Sequence, residues 1–203
     1  MTDLGSNNPF TPTFGVSPPL LVGRESELVE LAGTFDHSVG DPYRATLITG
    51  LRGSGKTVFL NHVEDHARRR GWVVISETAR TGLAGRLTDN VLPAHLAAHD
   101  PEATTSRPTS ATVGLLGVSA GGSREMTDRY QPGRDLRDLL TRLAEVSEAR
   151  GAGVLITVDE LNRGALADLE LITQAVQHCF REGRNVAFTG AGLPLAITAL
   201  LDE

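Results

Sequence analysis

The stretch Gly50-Leu51-Arg52-Gly53-Ser54-Gly55-Lys56-Thr57 has the spacing G-x-x-x-x-G-K-[ST]. Glycines at these positions let a backbone wrap closely around phosphate groups, with its N–H groups turned inward, those of Arg52, Gly53, Ser54 and Gly55 included. A helix that starts directly after the loop offers its positive N-terminus to the same anion. Lys56 then reaches the β- and γ-phosphates, and the Thr57 hydroxyl is a ligand for Mg²⁺. The chain carries 19 basic side chains besides histidine, and Lys56 is the only lysine among them. A phosphate cradle needs a compact charge on a thin, flexible stem, which arginine's planar fork does not supply.

A second group of chemistry-bearing residues ends the run Val154-Leu155-Ile156-Thr157-Val158-Asp159-Glu160. An apolar, β-branched strand leading into two carboxylates places them at the strand's carboxyl end, where open α/β sheets bind ligands. Asp159 there would complete the Mg²⁺ shell, and Glu160 would orient and polarise an attacking water. Strands also end in polar residues for solvation alone, so the pair gains meaning from the glycine loop about a hundred residues before it. Thr189, read as the end of the strand Asn185–Thr189, is a third candidate, its hydroxyl facing the γ-phosphate or the water. A threonine capping a strand end explains that residue equally well.

Regular elements of the right type surround these residues. Ala45–Gly50 is apolar and β-branched, as a strand covered on both faces should be. Amphipathic periodicity predicts helices over 25–37, 55–70, 135–151 and 167–183, and strands over 72–78, 154–160 and 185–192. Residues 82–99 read as largely helical, with Pro93 breaking or kinking the helix. Strands alternating with helices imply a parallel sheet with helices on both faces, an α/β three-layer fold. Residues 1–17 lack periodicity and read as a flexible arm. Residues 18–203 read as one core, interrupted by a Gly-, Ser-, Thr- and Pro-rich insertion at 100–134 that contains a short hairpin.

Composition narrows the class. The formal net charge is −6 with both signs mixed along the chain, which excludes a strongly basic nucleic-acid footprint. Cys179 is the single cysteine, so no internal disulfide forms, and a cytoplasmic location is expected. It falls on the apolar face of its helix as a buried thiol. No apolar run is long enough to span a bilayer, so no membrane role is expected. His62 and His66 lie four apart, but the segment is not H-E-x-x-H and reads as a solvated helix face.

Taken together, "LVGRESEL", "GLRGSGKT", "VLITVDE" and a polar-ended fourth strand resemble the AAA+ and STAND ATPases, in their initiator-like, archaeal-type form. The resemblance covers about residues 18–194 and implies a P-loop fold with sheet order 5-1-4-3-2. It also implies ATP and Mg²⁺ as cofactors and places Val22 and Gly23 beside the adenine. The family carries a fifth strand, a helical lid with a phosphate-sensing arginine, and often a winged-helix domain. This sequence stops before them, so a fragment is expected, with the strand before Gly50 left as an open edge. The implied function is slow ATP hydrolysis used as a conformational switch. The alternative is a non-catalytic, nucleotide-gated adaptor or DNA-linked initiator module that binds a protein or DNA partner through the missing C-terminal region. ATP and ADP are the implied small-molecule partners, and a homo-oligomer stays open. A small-molecule kinase is disfavoured by Glu160 and by the lack of an arginine-rich acceptor lid.

Overall fold

The computed structural model describes residues 24–36, 40–100 and 135–201. The arm at 1–17, residues 101–134 of the insertion, and Val22 and Gly23 lie outside the described residues. Four parallel strands form one sheet: β1 (Ala45–Thr49), β2 (Val73–Thr78), β3 (Val154–Leu161) and β4 (Val186–Gly192). Their order is β1-β4-β3-β2. That is the expected order without a fifth strand, and β1 is an edge among the described residues.

Strand composition dictates this sheet. Val154, Leu155, Ile156 and Val158 are all buried, because helices cover both faces of β3. One layer holds α1 (Glu25–Gly33) and α2 (Lys56–Arg69). Leu31, Phe59, Val63 and Ala67 pack there against Leu155 and Ala187. The other layer holds α3 (Leu83–Arg86), α4 (Leu92–His99), α5 (Leu136–Glu148) and α6 (Leu166–Arg181). Leu139, Leu140 and Leu143 of α5 meet Ile156 and Val158 from that side. Cys179 is buried in this second core, and burial pushes its thiol pKa up, so it stays protonated. A last helix, α7 (Pro194–Leu201), follows β4.

Several boundaries moved, each for a physical reason. α1 ends at Gly33 rather than 37, although Phe35 still reaches the core edge-on to Trp72, ring centroids 4.9 Å apart. Pro93 does not break its helix from within. The helical backbone is continuous over 83–99, and a π-turn at Leu87–Val91 directly before Pro93 takes up the missing N–H and the ring, so the helix is distorted there and not ended. β3 runs one residue past Glu160. β4 starts at Val186, one residue later than expected, and ends at Gly192 as expected.

Candidate nucleotide site

The glycine loop leaves β1 and enters α2 at the carboxyl end of the sheet. Gly53 and Gly55 both have φ of +79°, a left-handed conformation that a side chain would strain. Gly55 is also the residue from which α2 starts. At Gly50 a Cβ would sit 2.6 Å from the Ser54 hydroxyl, which would have to turn aside. The Ser54 Oγ is itself buried without a hydrogen-bond partner among the described residues. Lys56 Nζ donates to the carbonyls of Gly50 and Leu51, each at 2.9 Å, so its charge lies against the loop. Four N–H groups in the first turn of α2 lack intrahelical acceptors, giving a positive helix end beside that lysine.

The underside of α2 sets its height above the sheet. Phe59, Leu60 and Val63 are buried, and the largely buried Glu64 accepts from Thr157 Oγ1 at 2.6 Å. Arg68 neutralises Glu64 at 2.7 Å. Thr157 lies two residues before Asp159 on the same face of β3, so this bond fixes α2 directly below the site. Thr57 Oγ1 consequently donates to Asp159 Oδ2 at 2.5 Å, joining the two sequence motifs across 102 positions. A cavity of ≈ 270 Å³ opens beside this pair, lined in part by Asn61, Ser76, Thr78 and Glu64. The larger cavity, ≈ 630 Å³, lies in the opposite layer against α5 and α6 and touches none of these residues.

Asp159 and Glu160 sit on a β-bulge. Between β3 and β4, Val158 pairs with Gly190 and Leu161 with Gly192, so three steps on β3 match two on β4. Leu161 therefore returns to the core face occupied by Ile156 and Val158, and Glu160 is the inserted residue. Its φ is +55°, the only positive φ at a non-glycine among the described residues. Freed from the alternation, Glu160 is exposed while Asp159 is half-buried. Glycines opposite the bulge make it possible. A Cβ at Gly190 would meet Leu161 at 2.8 Å, and one at Gly192 would meet the Leu161 Cβ at 2.8 Å.

Thr189 needs correcting. It is paired with Thr157 and Thr46, buried in mid-strand, and shares the α2 face with them. It does not end β4; Ala191 occupies the level of the bulge. Arg52 is exposed at the loop's tip. The sequence reading missed Asn162, whose side-chain amide donates to the carbonyls of Glu160 and Ala79 at 2.9 and 3.0 Å. Its signal was an amide residue two positions after the carboxylate pair.

The residues fit a nucleotide with Mg²⁺. Left-handed glycines at Gly53 and Gly55 and an unpartnered, buried serine hydroxyl suit phosphate oxygens. The hydroxyl–carboxylate pair Thr57–Asp159 is the hard-oxygen donor set that Mg²⁺ takes. A profile of the AAA ATPase domain matches residues 20–188. The chain belongs to the AAA ATPase domain family. It is thus a nucleotide-binding ATPase module. No curated protein sequence matches it. Among solved structures, the ORC2 protein of Aeropyrum pernix, in ADPNP–ADP complexes, is similar with a TM-score of 0.56 at 16% identity. The alignment covers 94% of this chain and 46% of that one. The Aeropyrum pernix ORC1 protein in complex with DNA gives a TM-score of 0.40 at 20% identity, over 92% of this chain and 43% of that one. The AAA ATPase chain therefore spans less than half the length of these structural relatives. No helix among the described residues is long and apolar enough to cross a membrane.

Proposed function

We propose that this AAA ATPase module binds ATP with Mg²⁺, hydrolyses it slowly, and uses the exchange between ATP and ADP states as a conformational switch. The observation that carries this reading is the 2.5 Å bond between Thr57 and Asp159, with Glu160 adjacent on the bulge. In this reading the loop amides and Lys56 hold the β- and γ-phosphates, and the adenine lies toward Val22 and Gly23. Mg²⁺, when bound, is held by Thr57 and Asp159 and neutralises phosphate charge. Glu160 orients a water and accepts its proton during attack on the γ-phosphorus. Thr189, buried below the bulge, is assigned no contact with the water.

Turnover is slow because phosphoryl transfer rests on positioning and charge neutralisation, and an arginine supplied from outside is worth about 10³–10⁵ in rate. We place the module in the cytoplasm, where a protein or DNA partner reads the nucleotide state.

The test is phosphate release by the wild-type chain and by Glu160→Gln. Loss of a general base lowers turnover by about 10²–10⁴, while ATP binding persists. Turnover that survives the substitution unchanged contradicts the role of Glu160. Tight binding with no turnover in either protein favours the nucleotide-gated adaptor instead.

A further inference from the structure

We propose that Asn162 is a positioning residue that holds Glu160 in its reactive orientation, an inference that rests on the hydrolytic reading above. Glu160's carboxylate has no hydrogen-bonding or ionic partner among the described residues, so its aim is set by its backbone. That backbone is strained, with φ at +55° on a residue that carries a side chain. Such a conformation persists only where surrounding bonds over-determine it.

Asn162 supplies those bonds together with Asp159, whose Oδ1 accepts from Glu160 N at 2.7 Å. A neutral amide has two N–H donors and one carbonyl acceptor, and all three functions are engaged. The Nδ2 group donates to Glu160 O at 2.9 Å and to Ala79 O at 3.0 Å. The Oδ1 atom accepts from Gly164 N at 3.0 Å, which fixes the side chain's rotamer at the start of the turn Arg163–Ala165. Ala79 N donates in turn to Asp159 O at 2.8 Å. The peptides on both sides of Glu160 are thereby stitched to the segment after β2, and the bulge cannot relax without breaking this set. Aspartate is the informative replacement. It keeps an acceptor for Gly164 and places a carboxylate against two carbonyls that need a donor.

The experiment uses the full chain as Asn162→Asp, Glu160→Gln and the double variant, with steady-state phosphate release and calorimetric Mg·ATP affinity. Asn162→Asp is expected to lower kcat about tenfold while Kd stays within about twofold, since only a positioning bond is lost. The double variant is expected to be no slower than Glu160→Gln alone, because Asn162 acts through Glu160. Wild-type kcat in Asn162→Asp shows that only the bond to Gly164 matters and overturns the proposal. Losses that multiply in the double variant overturn it too. If Glu160→Gln itself turns over like wild type, the hydrolytic reading fails. A crystal structure of Asn162→Asp then decides the positioning claim, as it does if wild-type turnover is too slow to measure. Glu160 leaving the left-handed region supports it, and an unchanged φ refutes it.

Discussion

The two ends of the sheet are built by opposite rules. At the amino end, the residues before the strands lock together. Arg44, 3% exposed, donates to Asn185 Oδ1, to Val186 O at 3.3 Å and to Thr34 O at 3.4 Å. Its guanidinium lies 5.3 Å from the centre of the Trp72 ring. Asn185 donates onward to Ala152 O at 2.9 Å, and its N–H donates to Glu148 at 2.5 Å. Arg184 adds ion pairs to Glu145 at 2.6 Å and Glu148 at 3.4 Å. At the carboxyl end the corresponding positions hold an exposed glycine loop, a lysine resting on loop carbonyls and Glu160, the one non-glycine residue with a positive φ among those described. The contrast teaches where this fold keeps its stability and where it gives stability up for ligand chemistry.

Substitutions at the two ends should separate accordingly. The largest thermal effect belongs to Arg44→Met, which leaves buried carbonyl oxygens without their donor. A cost of ~2–3 kcal/mol lowers Tm by about 4–12 °C, read by calorimetric unfolding, with Mg·ATP affinity of the folded protein unchanged. A shift in affinity as large as that in stability would break the separation. Glu160→Gly comes next. It relieves a left-handed residue that costs ~1–2 kcal/mol and adds a glycine entropy penalty of ~0.5–1 kcal/mol, so Tm holds or rises slightly while turnover is lost. A clear fall in Tm would show that the carboxyl end is stabilising after all.

The smallest effect concerns pH at the amino end. His66, in the last turn of α2, has its pKa held below 6.5, first by burial and then by Arg69, Arg70 and His62, with Asp65 opposing. The unfolded chain therefore takes up this proton first. Stability present above pH 6.5 is lost as pH falls through 6.5 toward the folded value. His66→Gln should flatten that slope in denaturant titrations between neutral and mildly acid pH, and an unaltered slope would assign it to other groups.

Legibility in the sequence followed the locality of each feature. The conformation of the glycine loop was readable because its glycines and their spacing are encoded in eight consecutive residues. The carboxylate pair was readable from the apolar strand before it, and the alternation of strands and helices implied the parallel sheet, while its order came from the family resemblance. The bulge was not readable in β3, because it depends on pairing with β4. Its trace lies in Gly190 and Gly192, spaced to receive Leu161, and glycines inside a strand signal a bulge or close approach nearby. Thr189 was misplaced because its level depends on the register between β3 and β4, which pairs it with Thr157, two residues below Asp159. Arg44 looked like any other arginine; only the approach of Trp72, Asn185 and Val186, at the starts of β2 and β4, made it a buried hub.

The central claim is that the carboxyl end of the sheet is a Mg·ATP site whose affinity depends on its lone lysine. Calorimetric titration of Mg·ATP into the wild-type chain and into Lys56→Ala tests it most directly. Losing a charge-assisted contact worth ~1.5–3 kcal/mol should weaken one-to-one binding about 10–100-fold, with Tm of the unliganded protein unchanged. Equal affinity in the two proteins, or no binding by the wild type, would contradict the account.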